Sequence, residues 1–504
     1  MSDPAASVEP SRPAPDETRS VVKAAGLIGV ATFSSRILGF VRDMVLARLF
    51  GATPAADAFF VAYRIPNLLR ELFAEGSMSA AFIPVFTEYH TLKTKRDAWE
   101  LASATFTTLL TQMMFPYLIF ISLAALAMGI LNSLRAFAAP AFSPVFFNIF
   151  TIACMMFLSP WLPEPIIGVA IGIVVGGVAQ FAMQLPGLKG RGMLFGLRFQ
   201  PGHPGVKRIG WLMVPSLLGL SVTQINITVS TILASYFAGG PTYLFYGMRL
   251  IQFPLGIFGV ALATAILPTL SAQAARGALD ELRTTIGFGL RMIFFIILPA
   301  MLGLILLRHP IVHLVFEHGS FTKADTVATA TALLCYAVGL WAFAGVRIIV
   351  SAFYSLQDTR TPAVTAGIAV GANILLSLWL MTLLDAAGLA LATALASMLN
   401  GSILVAVLHR RLGRVDWGSI VWSAFRVLGA CIPVAVMCLW VANASLWDQD
   451  GAWVVKSAAL FGGIGVSVIG YLGVHIMLGS EELDVVLGMV KRKLGRVAKK
   501  FGAA

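Results

Sequence analysis

The sequence predicts an all-α polytopic membrane protein, and three observations carry that reading. Of its 504 residues 58% are hydrophobic and 12% charged, where a soluble chain has about 25% charged residues. Apolar runs of membrane-crossing length recur along the whole chain, and the mean hydropathy is +0.85. The connections between the runs divide into basic ones and neutral or acidic ones, as the positive-inside rule requires.

The runs, each near or above the roughly 20 residues that span a bilayer, lie at 22–47, 55–88, 101–131, 138–158, 165–185, 209–237, 243–271, 286–307, 328–356, 362–384, 387–408, 420–442 and 453–478. Residues 1–20 are polar and proline-rich with no apolar core, and read as a disordered cytoplasmic tail and not a signal peptide. The basic connections are 93–96, Arg135, 189–208, 276–291, Arg360, 409–414 and the tail 491–500, which places them and both termini in the cytoplasm. Two runs separate each neighbouring pair of basic connections, with one exception. Between 93–96 and Arg135 stands a single run, 101–131. As a helix it covers about 45 Å, enough for one crossing and short of two. The net charge of +12 reflects these loops, so no nucleic-acid partner is expected. Cys154, Cys335, Cys431 and Cys438 all sit in apolar runs without metal-like spacing and read as small hydrophobes.

An internal repeat bears on the exception. "YRIPNLLRELFAEGSMSAAFIPVF" (63–86) is similar to "MRLIQFPLGIFGVALATAILPTL" (248–270), pairing Pro84 with Pro268 at an offset of 184. "NSLRAFAAPA" (132–141) is similar to "YSLQDTRTPA" (354–363), pairing Pro140 with Pro362 at an offset of 222. The growth of the offset is about one span plus a loop, so the sequence reads as about 13 spans with one missing near 97–116. Residues 97–112 are then expected as a short helix at the cytoplasmic surface, joined almost directly to a helix over about 113–131. The organisation expected is a tail (1–20), an N-terminal lobe (21–207), a C-terminal lobe (208–416) and two extra helices with a basic tail (417–504).

Charges inside the runs mark function. The first two runs hold Arg36, Arg42, Asp43, Arg48, Asp57, Arg64, Arg70, Glu71, Glu75 and Glu88; the second half adds Arg249 and Arg347. Arg48, Glu88 and Arg347 lie where snorkelling to the interface explains them. Arg36, Arg42 and Arg249 lie deep, and a water-filled cavity explains them better than structural ion pairs do. Arg36 and Arg42 are six apart, so they point about 120° apart on a straight helix. Excess arginine suits an anion, and its fork matches phosphate oxygens, with sulfate, carboxylates and nucleotides left open by charge alone. No phosphate-loop signature, Ser/His/Asp set or H-E-x-x-H motif is present, which argues against an enzyme, an ATP-driven pump or any cofactor. His309, His313 and His318 read as an amphipathic interfacial helix sooner than as a metal site. Asn226 and Asn373, both within apolar runs, are expected to hydrogen-bond between helices.

"SSRILGFVRDMVLARLFG", "ADAFFVAYRIPNLLRELFAEGSMSAAFIPVF", "RLIQFPLGIFGVALATAILPTLS", "FEHGSFTKADT" and "FYSLQDTRTPA" resemble the MurJ (MviN) lipid II flippases, of the multidrug/oligosaccharidyl-lipid/polysaccharide exporter superfamily. The resemblance covers roughly residues 21–480. It implies fourteen helices, with two six-helix lobes in parallel repeat around a central cavity and two C-terminal helices beside a groove for the polyprenyl tail. It implies an inner-membrane protein of peptidoglycan biosynthesis that flips an undecaprenyl-linked precursor, with membrane lipids and other cell-wall synthesis proteins as partners. Carried over residue by residue, it places substrate-binding groups at Arg36, Arg42, Arg70 and Arg249 and an essential acid at Asp57, with Arg64, Asp43 and Glu75 as secondary candidates. Met248 and Gln252 stand where many members carry acids, and Ser230 where some carry an Asp serving a sodium site, which argues against sodium coupling. A drug or solute antiporter of the same superfamily would favour an acidic cavity; a non-transporting envelope scaffold would leave the arginines dispensable.

Overall fold

The computed structural model describes residues 15–71, 77–112, 116–192, 202–413, 415–449 and 451–488. Its described residues are helical throughout and fall into two compact units, residues 1–45 with 65–221, and residues 46–64 with 222–504. The division at 221/222 lies inside a helix; the sequence reading put the lobe boundary at 207/208, near the start of the same helix.

Among the described residues nine α-helices lie wholly or partly in the first unit, the ninth running across its boundary. α1 (Pro15–Phe50) begins earlier than expected, so residues 15–20 are helix and not tail; residues 1–14 lie outside the described residues. Pro15 at the first helical position followed by Asp16 and Glu17 is a favourable start, because proline has no N–H to leave unbonded and acids suit the helix N-terminus. α2 (Pro54–Leu69) and α3 (Ser77–Leu92) carry internal prolines at Pro66 and Pro84. α4 (Lys95–Gln112), α5 (Pro116–Ser133), α6 (Ala138–Ala153), α7 (Ile166–Ala182) and the short α8 (Leu185–Lys189) follow.

The helix that the sequence reading found missing is present. α4 and α5 are 18 residues each, about 27 Å apiece, and pack against one another. Trp99 near the start of α4 and Leu134 just past the end of α5 border one cavity, so the two run antiparallel and Arg135 returns to the end from which α4 starts. The loop parity is therefore kept by a short hairpin, not by a surface helix. α4 is no surface helix either: Ala98, Leu101 and Ala102 are buried in one core with Phe82, Phe86, Leu126 and Ile130. Thr94 and Asp97 close the start of α4 reciprocally, the Asp97 N–H donating to the Thr94 hydroxyl and the Thr94 N–H to the Asp97 carboxylate.

α6 and α7 meet along glycines. Gly168, Gly172 and Gly176 lie four apart on one face of α7, all buried. A Cβ on Gly176 would sit 2.8 Å from the Phe147 carbonyl oxygen, and one on Gly168 2.8 Å from the Ser159 Cα. Close backbone approach of this kind drives helix association in lipid, where apolar burial gives no preference. The Thr151 hydroxyl exploits it, reaching the carbonyls of Phe147 at 2.7 Å and Gly172 at 3.1 Å. Gly176→Leu is expected to cost about 3 kcal/mol or more, since the obstacle is backbone and overpacking alone costs 1–3; a melting temperature in detergent equal to wild type would contradict this.

α9 (Pro204–Ala234) runs across the division into the second unit. There α10 (Gly240–Pro254) continues through a π-type turn into α11 (Val260–Ala275), and α12 (Leu279–Leu306) and α13 (Arg308–Phe316) follow. Next come α14 (Lys323–Val338), α15 (Leu340–Ser355), α16 (Arg360–Leu412), α17 (Trp417–Ala430), α18 (Ile432–Ala442) and α19 (Trp453–Met477). α16 breaks at Asp385, at φ 49° and ψ −137°, which separates the two runs expected at 362–384 and 387–408. A Cβ on Gly388 would lie 2.3 Å from the Leu380 carbonyl oxygen, so glycine is what lets the chain fold back so tightly. Among the described residues seven helical stretches are long and apolar enough to cross a membrane, or eight if α17 and α18, bent by 41°, make one span.

The repeat has structural counterparts. Pro140 and Pro362 are each the third residue of their helix, α6 and α16, and Pro84 and Pro268 are each internal, in α3 and α11. The helix ends before the first pair also match. The Ala136 N–H donates to the Leu131 carbonyl and the Arg135 N–H to Asn132; the Asp358 N–H donates to Phe353 and the Gln357 N–H to Tyr354. Arg135 and Gln357 are both left-handed, at φ 55° and 61°. The offset grows because α12 and the stretch 323–355 have 28 and 33 residues against 18 each in α4 and α5, and the link between them runs from 307 to 322 instead of 113 to 115.

Candidate functional site

In the first unit, α1 presents Arg36 exposed and Arg42 half-buried. Arg42 grips the carboxylate of Asp43, which is 1% exposed, through Nε at 3.1 Å and Nη2 at 2.8 Å. Its Nη1 reaches Asn148 Oδ1 on α6 at 3.4 Å, and its guanidinium lies 6.0 Å from the centre of the Phe147 ring. The Asn148 amide is itself fixed, donating to the carbonyls of Ser35 at 3.2 Å and Pro144 at 3.1 Å. At the end of α2, Arg70 donates through Nε and Nη2 to Asn67 Oδ1 at 3.0 and 2.8 Å, and Asn67 donates to Glu71 at 3.0 Å. Glu75 lies outside the described residues.

In the second unit, Arg64 donates to Gln224 Oε1 on α9 at 2.8 Å, and Gln224 is 3% exposed. Arg249 is half-buried on α10, flanked by the buried Leu250 and Ile251. Asp57, in the first turn of α2, accepts from the Gly239 N–H at 2.6 Å and from the Thr242 N–H and hydroxyl at 3.3 and 2.7 Å. Both its oxygens thus receive donors at the start of α10, where the helix N–H groups lack partners of their own and the dipole favours an anion. The same helix start is tied again where Tyr243 donates to Asp325 at 2.9 Å.

Sequence reasoning named the arginines and missed the amides that hold them: Asn148, Gln224 and Asn67. It also missed Lys456. This lysine is 4% exposed on α19 and donates to His313 Nε2 at 2.8 Å and to the Gln449 carbonyl at 2.6 Å. Lysine only donates, so Nε2 accepts and Nδ1 carries the proton, which goes to Glu317 at 2.9 Å. A lone lysine inside an apolar run was the signal available. The three histidines do not converge, since His318 turns to the Leu314 carbonyl at 3.2 Å. α13 buries Pro310, Val312, Leu314 and Phe316. Asn226 and Asn373 do bond between α9 and α16, at 2.7 Å. In the loop before α16, Asp358 binds the Thr361 N–H and hydroxyl and pairs with Arg411. Thr361, and then Arg411, hold its carboxyl below the usual range, so this clamp contributes at neutral pH and is lost as pH falls through that lowered value.

Among the described residues, helices alone in such number, with crossing-length stretches and half-buried arginines held by amides, define a polytopic helical membrane protein. A solved multidrug transporter of the multidrug and toxin extrusion family shares the fold, with a TM-score of 0.53 at 16% identity over 79% of this chain and 91% of its own. The family model described as "Lipid II flippase MurJ" matches residues 46–111 and 99–460, and the chain belongs to that family. A Vibrio cholerae relative named probable lipid II flippase MurJ is 36% identical, over 93% of this chain and 98% of its own. A Burkholderia cenocepacia relative named lipid II flippase MurJ is 34% identical, over 85% and 92%. A solved structure named lipid II flippase MurJ in an inward closed conformation has a TM-score of 0.72 at 26% identity, covering 90% of this chain and all of its own.

Proposed function

We propose that this chain flips lipid II from the cytoplasmic to the outer leaflet of the bacterial inner membrane by alternating access, with both termini cytoplasmic. Arg36, Arg42, Arg70 and Arg249 bind the pyrophosphate and anionic headgroup. The observation that carries this reading is that Arg42, Arg64 and Arg70 are each oriented by an amide oxygen, of Asn148, Gln224 and Asn67. Asp43 and Glu71 lie beside Arg42 and Arg70 at 2.8 and 3.7 Å, so the amides add direction to guanidiniums already charge-paired, and forks held in this way suit phosphate oxygens. Asp57 acts through α10: by holding the helix start it sets the position of Arg249. The polyprenyl tail takes the apolar cavity of about 400 Å³ lined by Phe294, Leu298, Trp341, Val421, Phe425 and Leu428 on α12, α15 and α17. The test is a strain depleted of its own flippase and supplied with this chain. Growth is expected, with newly made lipid II accessible at the outer face; growth arrest with lipid II confined to the inner leaflet would overturn the reading.

A further inference from the structure

α10 has two unlike faces. On one, Gly247 lies against α14, where a Cβ would sit 3.3 Å from the Leu333 nitrogen. On the other, Thr242 binds Asp57 of α2, and Phe245 meets Phe60 of α2 with ring centres 4.4 Å apart. At 3.6 residues per turn, Thr242, Phe245, Arg249 and Gln252 share this second face. Gln252 is exposed, and among the described residues its side chain makes no hydrogen bond. It lies about 18 Å along the crossing-length stretch Gly240–Ala275. An amide turned to hydrocarbon at that depth would leave its two N–H groups and its oxygen unsatisfied. Its place on the face that α2 covers further up gives it water or a ligand instead.

We propose that Gln252 is a further binding residue for the transported lipid, contacting an amide or hydroxyl of the headgroup while Arg249 takes the phosphate; this rests on the flippase reading. Residues three apart on a helix have Cβ atoms about 5–6 Å apart, so the two side chains reach neighbouring groups of one ligand. A neutral amide gains little from phosphate, which the guanidinium fork fits better. It both donates and accepts, which matches the uncharged polar groups of a sugar or peptide.

Native mass spectrometry of the full-length protein with lipid II and with undecaprenyl pyrophosphate, which lacks the sugars and peptide, tests this. Wild type is expected to bind both. Gln252→Leu weakens lipid II about tenfold, by leaving a polar group of the ligand unpaired, and leaves undecaprenyl pyrophosphate unchanged. Gln252→Ala does the same, whereas Arg249→Ala weakens both ligands. Both Gln252 variants melt with wild type, since no hydrogen bond among the described residues is lost. Unchanged lipid II binding in the Gln252 variants would overturn the proposal, and so would equal weakening of the two ligands. A lowered melting temperature in both variants would make the glutamine structural and overturn it as well. Failure of wild type to bind lipid II would overturn the flippase reading itself, and this inference with it.

Discussion

Arg42→Lys is expected to abolish growth of the flippase-depleted strain while leaving the amount of protein in the membrane near wild type. The guanidinium reaches Asp43 with two nitrogens and Asn148 with the third. Lysine retains the charge beside the buried Asp43 carboxylate, so folding is preserved, but a point ammonium cannot hold that fork and face a phosphate as well. Arg42→Ala is a poorer probe. It strips two hydrogen bonds from an acid that is 1% exposed, and removing a partner from a buried charge costs about 3–5 kcal/mol, so its protein level falls too. Arg249→Ala is expected to block growth at normal protein level. Losing one charge-assisted contact to phosphate, about 1.5–3 kcal/mol, already amounts to a tenfold or greater loss in transport. The measurement is growth together with membrane immunoblots. Full growth of both Arg42→Lys and Arg249→Ala would favour a scaffold over a transporter.

Why were the arginines legible in the sequence and their partners not? A charge in an apolar run is visible locally, since lipid penalises it wherever the chain folds. Asn148 lies 106 residues from Arg42 and Gln224 lies 160 from Arg64, so only tertiary packing reveals the pairing. The spans were legible for the same local reason, with one failure that is physical. α4 and α5 are each shorter than a full crossing, and the link between them, Met113–Phe115, is itself apolar. One continuous run 101–131 therefore concealed a break marked by a single proline, Pro116 at the first position of α5, with no glycine or charge beside it. Thr105 in α4 gave no warning, because its hydroxyl is satisfied within the helix, donating to the Leu101 carbonyl at 2.9 Å. The repeat offset signalled the right place and the wrong cause, shortened helices and a shortened link in place of a lost span. The glycine face of α7 was also readable, as G-x-x-x-G-x-x-x-G at 168–176, yet such a stripe reads as mere apolar filler until its partner helix is known.

Asp57→Ala is expected to lower the melting temperature and the membrane level of the protein as well as its activity. Its carboxylate receives three hydrogen bonds at the start of α10, two of them from backbone N–H groups. Gly239 is left-handed at φ 75° and Thr242 is fully buried, so neither N–H can turn to water when the acceptor goes. Hydrogen bonds to a charged acceptor contribute about 1.5–3 kcal/mol each and are not additive. A net loss of about 3 kcal/mol is therefore the scale to look for. Asp57→Asn separates the two roles an acid here could have. Asparagine keeps one oxygen for Thr242 but turns an amide N–H₂ toward the Gly239 N–H, so it is expected to recover only part of the stability and part of the growth, the two moving together. If the acid instead met the substrate directly, both variants would fold at wild-type level and fail only in transport. Equal melting temperatures for wild type, Asp57→Ala and Asp57→Asn would thus remove Asp57 from the support of α10 and make it a ligand.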